Sequence, residues 1–242
     1  MISKIKNRRD LSLIFLTLTS IFGLVLSLLF VGYHPFPEDD WAFRSLTAGS
    51  AFCAVCIVGV FAALFPRSCS KMSSFGKSNG DQENRSLIHE KNLRAHHPLC
   101  GNYSTHVLLI GNRRLCATCM GLSVGAFGVI VGTIMYFFGG FRVGAPHVLV
   151  LIGVLAVIAG LLQSALPKLS NVYSRFFFSI IFVAGCFLML VGLDAAVESI
   201  TIDVFFVALS ILLIMTKIAF SQRDHLETCS NCSMESCRPD RK

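Results

Sequence analysis

Charge is what this chain has least of. Charged residues fill only 14% of its 242 positions, against about 25% in a soluble globular protein. Hydrophobic residues make up 54%, with 21 Phe among them, and the mean hydropathy is +0.67. That balance excludes both an ordinary soluble enzyme and a disordered chain. A Walker phosphate loop and an H-E-x-x-H metalloprotease motif are also missing. No enzymatic class gains support from them, and the expectation is a protein that is not an enzyme. The formal net charge is +7. In a soluble chain that excess would suggest nucleic acid. Here the basic residues flank apolar runs, so the expected partner is a lipid bilayer and not nucleic acid.

The apolar runs are long. A helix needs about 20 mostly apolar residues to cross the hydrocarbon core of a bilayer, and backbone amides in lipid must be paired internally. Six stretches qualify: Leu11 to Tyr33, Ala42 to Phe65, Gly121 to Phe138, His147 to Leu166, Phe176 to Leu193 and Val204 to Phe220. The expected fold is therefore all-α: a polytopic membrane protein of about six transmembrane helices with a cytosolic Cys/His loop. The first run follows Lys4, Lys6, Arg8 and Arg9. It is longer than the hydrophobic region of a signal peptide and no A-x-A site follows it, so it reads as a retained helix.

Six spans place both termini on one side. With the Pro66–Met120 and Pro167–Arg175 loops, that side holds 19 of the 21 Lys and Arg residues, leaving Arg44 and Arg142 opposite. Lys217 is counted here with the basic C-terminal side. Cytosolic loops carry the Lys/Arg excess, so the expectation is a multi-pass protein of the cell membrane with both termini in the cytosol. Glu38, Asp39, Asp40, Asp194, Glu198 and Asp203 then lie in the outer loops.

Composition divides the chain further. Residues 1–66 form a two-helix hairpin. Residues 67–95, rich in Ser, Gly, Asn, Gln and Lys, read as a flexible linker. Residues 96–220 carry a Cys/His segment and four helices, and residues 221–242 form a loosely ordered, Cys-containing tail. Gly121, Gly125, Gly128 and Gly132 recur on one face of the third span. A side-chain-free stripe lets another backbone approach, and both Gly125 and Gly128 are expected against a neighbouring helix. Gly153, Ala156, Gly160, Gln163 and Ser164 make a similar small face on the fourth span.

Ten cysteines are unevenly placed. Cys53, Cys56 and Cys186 fall inside apolar runs and read as packing residues. His97, Cys100, Cys116 and Cys119 make an H-x2-C-x15-C-x2-C pattern. Two residues between ligands let one tight turn aim both side chains at a single ion, and two such turns close a tetrahedron. This is the spacing of Cys3His zinc sites. His106 is an alternative nitrogen ligand, and His89 and His96 are weaker ones. Cytosolic thiols are kept reduced, so the expected cofactor is Zn²⁺, with a redox-active Cys116/Cys119 pair as the competing reading. His225, Cys229, Cys232 and Cys237 form a second metal set, able to bind alone or to complete the loop site.

The segment Cys116-Ala117-Thr118-Cys119-Met120-Gly121, followed by Gly125, resembles the C-x-x-C-x-G end of the Cys/His segment in a prokaryotic membrane-protein family known as domain of unknown function 2085. Gln163 and the run Ser170-Asn171-Val172-Tyr173-Ser174-Arg175 look like two further features of that family. The likeness covers about His96 to Gly192. It implies a membrane topology and site residues but no reaction. It departs from the family at Thr118, where an Arg is frequent, and at Ala159 and Gly160, near where an Asp is common.

Three functions compete. The first is a membrane protein with a structural or regulatory zinc module. The second is a membrane thiol-redox protein using Cys116 and Cys119, with Arg113 and Arg114 near enough to lower a thiol pKa. The third is a transporter of a neutral, lipid or metal cargo. The span interiors are read as lacking Asp, Glu, Lys and His, which argues against a proton- or cation-coupled carrier. A homo-oligomer, or a protein partner at the cytosolic face, fits any of the three.

Overall fold

The computed structural model describes residues 2–32, 40–64, 107–110, 113–166 and 171–230. Its elements in chain order are α1 (Ile2–Gly32), α2 (Trp41–Leu64), strands β1 (Val107–Ile110) and β2 (Arg113–Cys116), α3 (Ala117–Thr133), α4 (Pro146–Ala165), α5 (Val172–Val197) and α6 (Ile200–Ser230). All six helices are long and apolar enough to cross a membrane, over Asp10–Gly32, Trp41–Ala62, Ala117–Phe138, Pro146–Ala165, Val172–Val197 and Ile200–Asp224. Large apolar side chains such as Phe15, Phe22, Phe61, Phe127, Leu155 and Phe177 are exposed along their outer faces. That surface suits lipid, where an apolar exterior costs nothing.

The sequence signals set the helix ends. Pro146 opens α4, where its missing N–H is no loss. Beyond Thr133, α3 widens into a π-helical turn, Ile134–Phe138, closed by a bond from the Gly139 amide to the Ile134 carbonyl. Gly140 then takes φ +69° and turns the chain away, a conformation that favours glycine.

α5 sits at the centre of the bundle. It runs antiparallel to α4, and the two backbones meet through small residues. A Cβ added at Gly185 would lie 2.9 Å from the Gly153 carbonyl oxygen, and one at Gly192 would lie 2.9 Å from that of Pro146. Along the α3 stripe, Gly121 meets the Phe176 carbonyl, Gly125 the Ile180 backbone and Gly132 the Phe187 ring. Gly128 departs from expectation: it faces open space. Three residues turn a helix about 300°, so Gly128 lies on the far flank of the stripe from Gly125. α1 runs antiparallel to α6, held by Ser20 Oγ and Thr216 Oγ1 at 2.8 Å and by Phe30 edge-on to Phe205.

Three expectations need correction. The fold is helical but includes the short antiparallel hairpin β1–β2. The fifth and sixth spans begin earlier and run longer than hydropathy suggested, because Arg175, Asp194, Asp203 and Asp224 lie in the helices and are buried there. The tail does not loosen at Ser221, since α6 continues to Ser230.

The start of α1, the end of α6 and Cys116 lie at one end of the bundle; Trp41, Tyr136, Asp194 and Asp203 lie at the other. This arrangement follows from an even number of alternating helices.

Candidate functional site

At the Cys116 end the hairpin delivers the chain into α3. β1 and β2 pair with Val107 opposite Cys116 and Ile110 opposite Arg113. Only Gly111-Asn112 separates the strands, a hairpin signal that sequence reading could have used. Cys116 is the N-cap of α3, with φ −66° and ψ 123°, and Cys119 follows in its first turn. Both are half-buried thiols. A helix N-terminus favours the thiolate, which suits a metal ligand and a redox thiol equally. His97, Cys100 and His106 lie outside the described residues, as do Cys232 and Cys237. Cys229 lies on α6, but its side chain and that of His225 are outside the description. Among the described residues no group of three His, Cys, Asp or Glu side chains is close enough to hold a metal.

Gly121-Leu122-Ser123-Val124-Gly125 has the G-x-S-x-G spacing of a hydrolase nucleophile. The fold gives it no such role. Ser123 lies well inside α3 and its hydroxyl donates to the Cys119 carbonyl at 3.0 Å, whereas a nucleophile elbow needs a sharp strand-to-helix turn.

The buried ionisable residues overturn the reading of the span interiors as free of them. Beside the α5 entry, Arg175 Nη1 donates to Asp224 Oδ2 at 2.8 Å, binding α5 to α6. Lys217, about seven residues or roughly 10 Å deeper along α6, is 1% exposed. Its Nζ donates to the Gly160 carbonyl at 2.9 Å and to Ser164 Oγ at 3.0 Å, and it stands 5.0 Å from the centre of the Phe182 ring. The ammonium is thus held by dipoles and an aromatic face, with no carboxylate among its described partners. Gln163 is half-buried on the same turn of α4 as Ser164.

At the Trp41 end, Arg44 reaches from α2 to place Nε 2.9 Å from Asp194 Oδ1 on α5. Tyr136, turned inward by the π-helical stretch, donates its hydroxyl to Asp194 Oδ2 at 2.7 Å. Asp203 on α6 is a second buried carboxylate at this end of the bundle. Trp41 covers the group, edge-on to Tyr136 and 5.3 Å from the Arg44 guanidinium. Arg44 is 2% exposed, and Asp194 and Asp203 are fully buried. The elbow that brings the two aspartates together turns at Glu198, whose φ of 54° is left-handed. A glutamate rarely adopts that conformation, and such outliers and π-turns recur at functional sites. The sequence signal that finds this cluster is an ionisable residue at the edge of an apolar run, here assigned to a loop.

A scan against protein-family models, a search of curated proteins and a search of solved structures each find no match. The likeness between His96 and Gly192 therefore rests on the residues quoted above.

Proposed function

We propose that this chain is a multi-pass protein of the cell membrane, with both termini in the cytosol, whose Cys/His segment holds one structural or regulatory Zn²⁺. Cys116, Cys119 and Cys100 are its thiolate ligands, with His97 or His106 as the fourth. The observation that carries this reading is the hairpin. Pairing Val107 with Cys116 folds the segment back on the start of α3, and His106 is one residue along the chain from Val107. Both thiols of the C-x2-C then stand in one turn at the helix N-terminus. Four protein ligands leave no open position, which favours a structural site over a catalytic one. A metal there would fasten the hairpin to α3 and, through Gly121 and Gly125, to α5.

The test is metal content per chain in the purified protein, beside a Cys116→Ser/Cys119→Ser variant. Wild type carries about one zinc and the variant none. Thiolates must lose their protons to bind, so occupancy falls as pH drops. Metal-free wild type whose Cys116 and Cys119 cycle between thiol and disulfide would replace zinc with the redox reading.

A carrier is the second reading, and one observation favours it. Lys217 and the Arg44–Asp194 pair are buried in the bundle, where ionisable groups mark pathways and relays. The objection from uncharged span interiors no longer stands.

A further inference from the structure

Lys217 carries its amine into a place that offers it no opposite charge. The residue is 1% exposed and lies among α4, α5 and α6. Asp224, the buried carboxylate towards that end of α6, is engaged by Arg175 at 2.8 Å. Among the described residues Nζ meets only neutral partners: the Gly160 carbonyl at 2.9 Å, Ser164 Oγ at 3.0 Å and the Phe182 ring, whose centre is 5.0 Å away. An ammonium has three hydrogens to donate. Two are placed on oxygens, and the third is left to the ring. A buried charge is costly unless it is paired, so this environment holds the ammonium only loosely in its charged form.

A second, independent observation concerns Ser164. A hydroxyl both donates and accepts. Ser164 Oγ accepts from Lys217 and donates to the Gly160 carbonyl at 3.2 Å. A neutral amine in the same place keeps one hydrogen on Gly160 and presents a lone pair, which the Ser164 hydroxyl fills by turning. Both forms of the amine therefore find partners without any movement of the helices. Ser164 is on the last turn of α4, which ends at Ala165, and it is half-buried. It stands between the buried amine and the surface of the bundle.

We propose that Lys217 is a reversible proton-binding site and that its proton enters and leaves through Ser164. On release, an N–H bond at Nζ breaks and its electron pair stays on nitrogen. The proton passes to Ser164 Oγ, and the hydrogen that Oγ carried passes to water at the half-buried face. The new hydroxyl hydrogen then points at the nitrogen lone pair. One positive charge leaves the bundle, yet α4 and α6 stay joined, because both contacts of Nζ persist and one is merely reversed. The groups that face this amine are Arg175 and Cys186 from α5 and the Gly160 and Ser164 oxygens from α4. α1 presents the Ser20 hydroxyl, bonded to the neighbouring Thr216, and α2 brings Cys56 to Cys186. The site uses neither Cys116 nor Cys119, so it stands apart from the zinc reading and survives its failure.

Nitrogen NMR of the full chain in lipid bilayers, isotope-labelled at the lysine side-chain nitrogen, tests it. In wild type one resonance moves reversibly from the ammonium to the amine position as pH is raised from neutral to mildly alkaline, while the remaining lysine resonances stay at the ammonium position. Lys217→Met removes that resonance; Lys217→Arg serves for the assignment if the methionine variant does not fold. Ser164→Asp supplies a carboxylate, which only accepts, so the Lys217 resonance stays at the ammonium position throughout the same range. Ser164→Ala removes the relay, and exchange between the two forms slows. A Lys217 resonance that stays with the other lysines in wild type overturns the site. An unmoved titration in Ser164→Asp, or unslowed exchange in Ser164→Ala, overturns the part given to Ser164. If Ser164→Asp does not fold, wild type and Ser164→Ala decide the matter.

Discussion

Replacing Arg44 with methionine tests whether the Trp41 end is held by charge or only by packing. Methionine keeps much of the side-chain length but removes the cation, leaving Asp194 fully buried without the partner now 2.9 Å away. Removing one member of a buried pair costs about 3–5 kcal/mol, because the remaining charge stays desolvated. Arg44→Met should therefore lose about that much. Adding Asp194→Asn should recover part of the loss: the amide oxygen still accepts the Tyr136 hydroxyl, and the stranded charge is gone. Tyr136→Phe, which deletes one bond to a charged group, should cost about 1.5–3 kcal/mol. The unfolding of each variant in nanodiscs can be followed with a thiol-reactive dye. Cys56 and Cys186 are 7% and 3% exposed in the folded bundle and react when it opens. The reasoning fails if the double variant is less stable than Arg44→Met by the full cost of Asp194→Asn alone, since additivity means the pair does not interact.

Three further outcomes are expected. Gly185→Leu should destabilise the α4–α5 contact by about 1–3 kcal/mol or more through overpacking, while Gly128→Leu should leave the melting temperature unchanged; equal effects would mean the close backbone approach is absent. Lys217→Met removes a buried ammonium that has no carboxylate partner among the described residues, so thermal stability should hold or rise, and a large drop would show that the bonds to Gly160 and Ser164 outweigh its desolvation. A reporter fused after Lys242 should be active only in the cytosol, and one inserted near Asp39 only outside; the reverse pattern would invert the proposed orientation.

The membrane helices were legible because each is a nearly unbroken apolar run, and hydropathy measures that directly. Their ends were not. Asp194, Asp203 and Asp224 break the runs, and a linear count cannot distinguish a charge in a loop from one paired across helices. Arg44 was visible as a basic residue of the outer side, but its partner on α5 depends on packing. Gly128 shows the same limit on a finer scale. Periodicity places it near the stripe, and only the path of α5 decides that Gly125 is covered and Gly128 is not. The π-helical turn under Tyr136 left no trace in the sequence reading. Cys116 and Cys119 stand out in the sequence by their spacing, and the fold adds the hairpin that leads into them.

The Arg44–Asp194 bond also has a history in time. Its two residues are 150 positions apart, and a ribosome adding about 5–20 residues per second makes the arginine roughly 8–30 s before the aspartate. Over that interval α2 enters the bilayer carrying a cation whose partner does not yet exist. A long arginine side chain can keep its head in the headgroup region while its stem lies in lipid. The Arg44–Asp194 pair can therefore form only once α5 has been made. A late helix thus completes the seating of an early one.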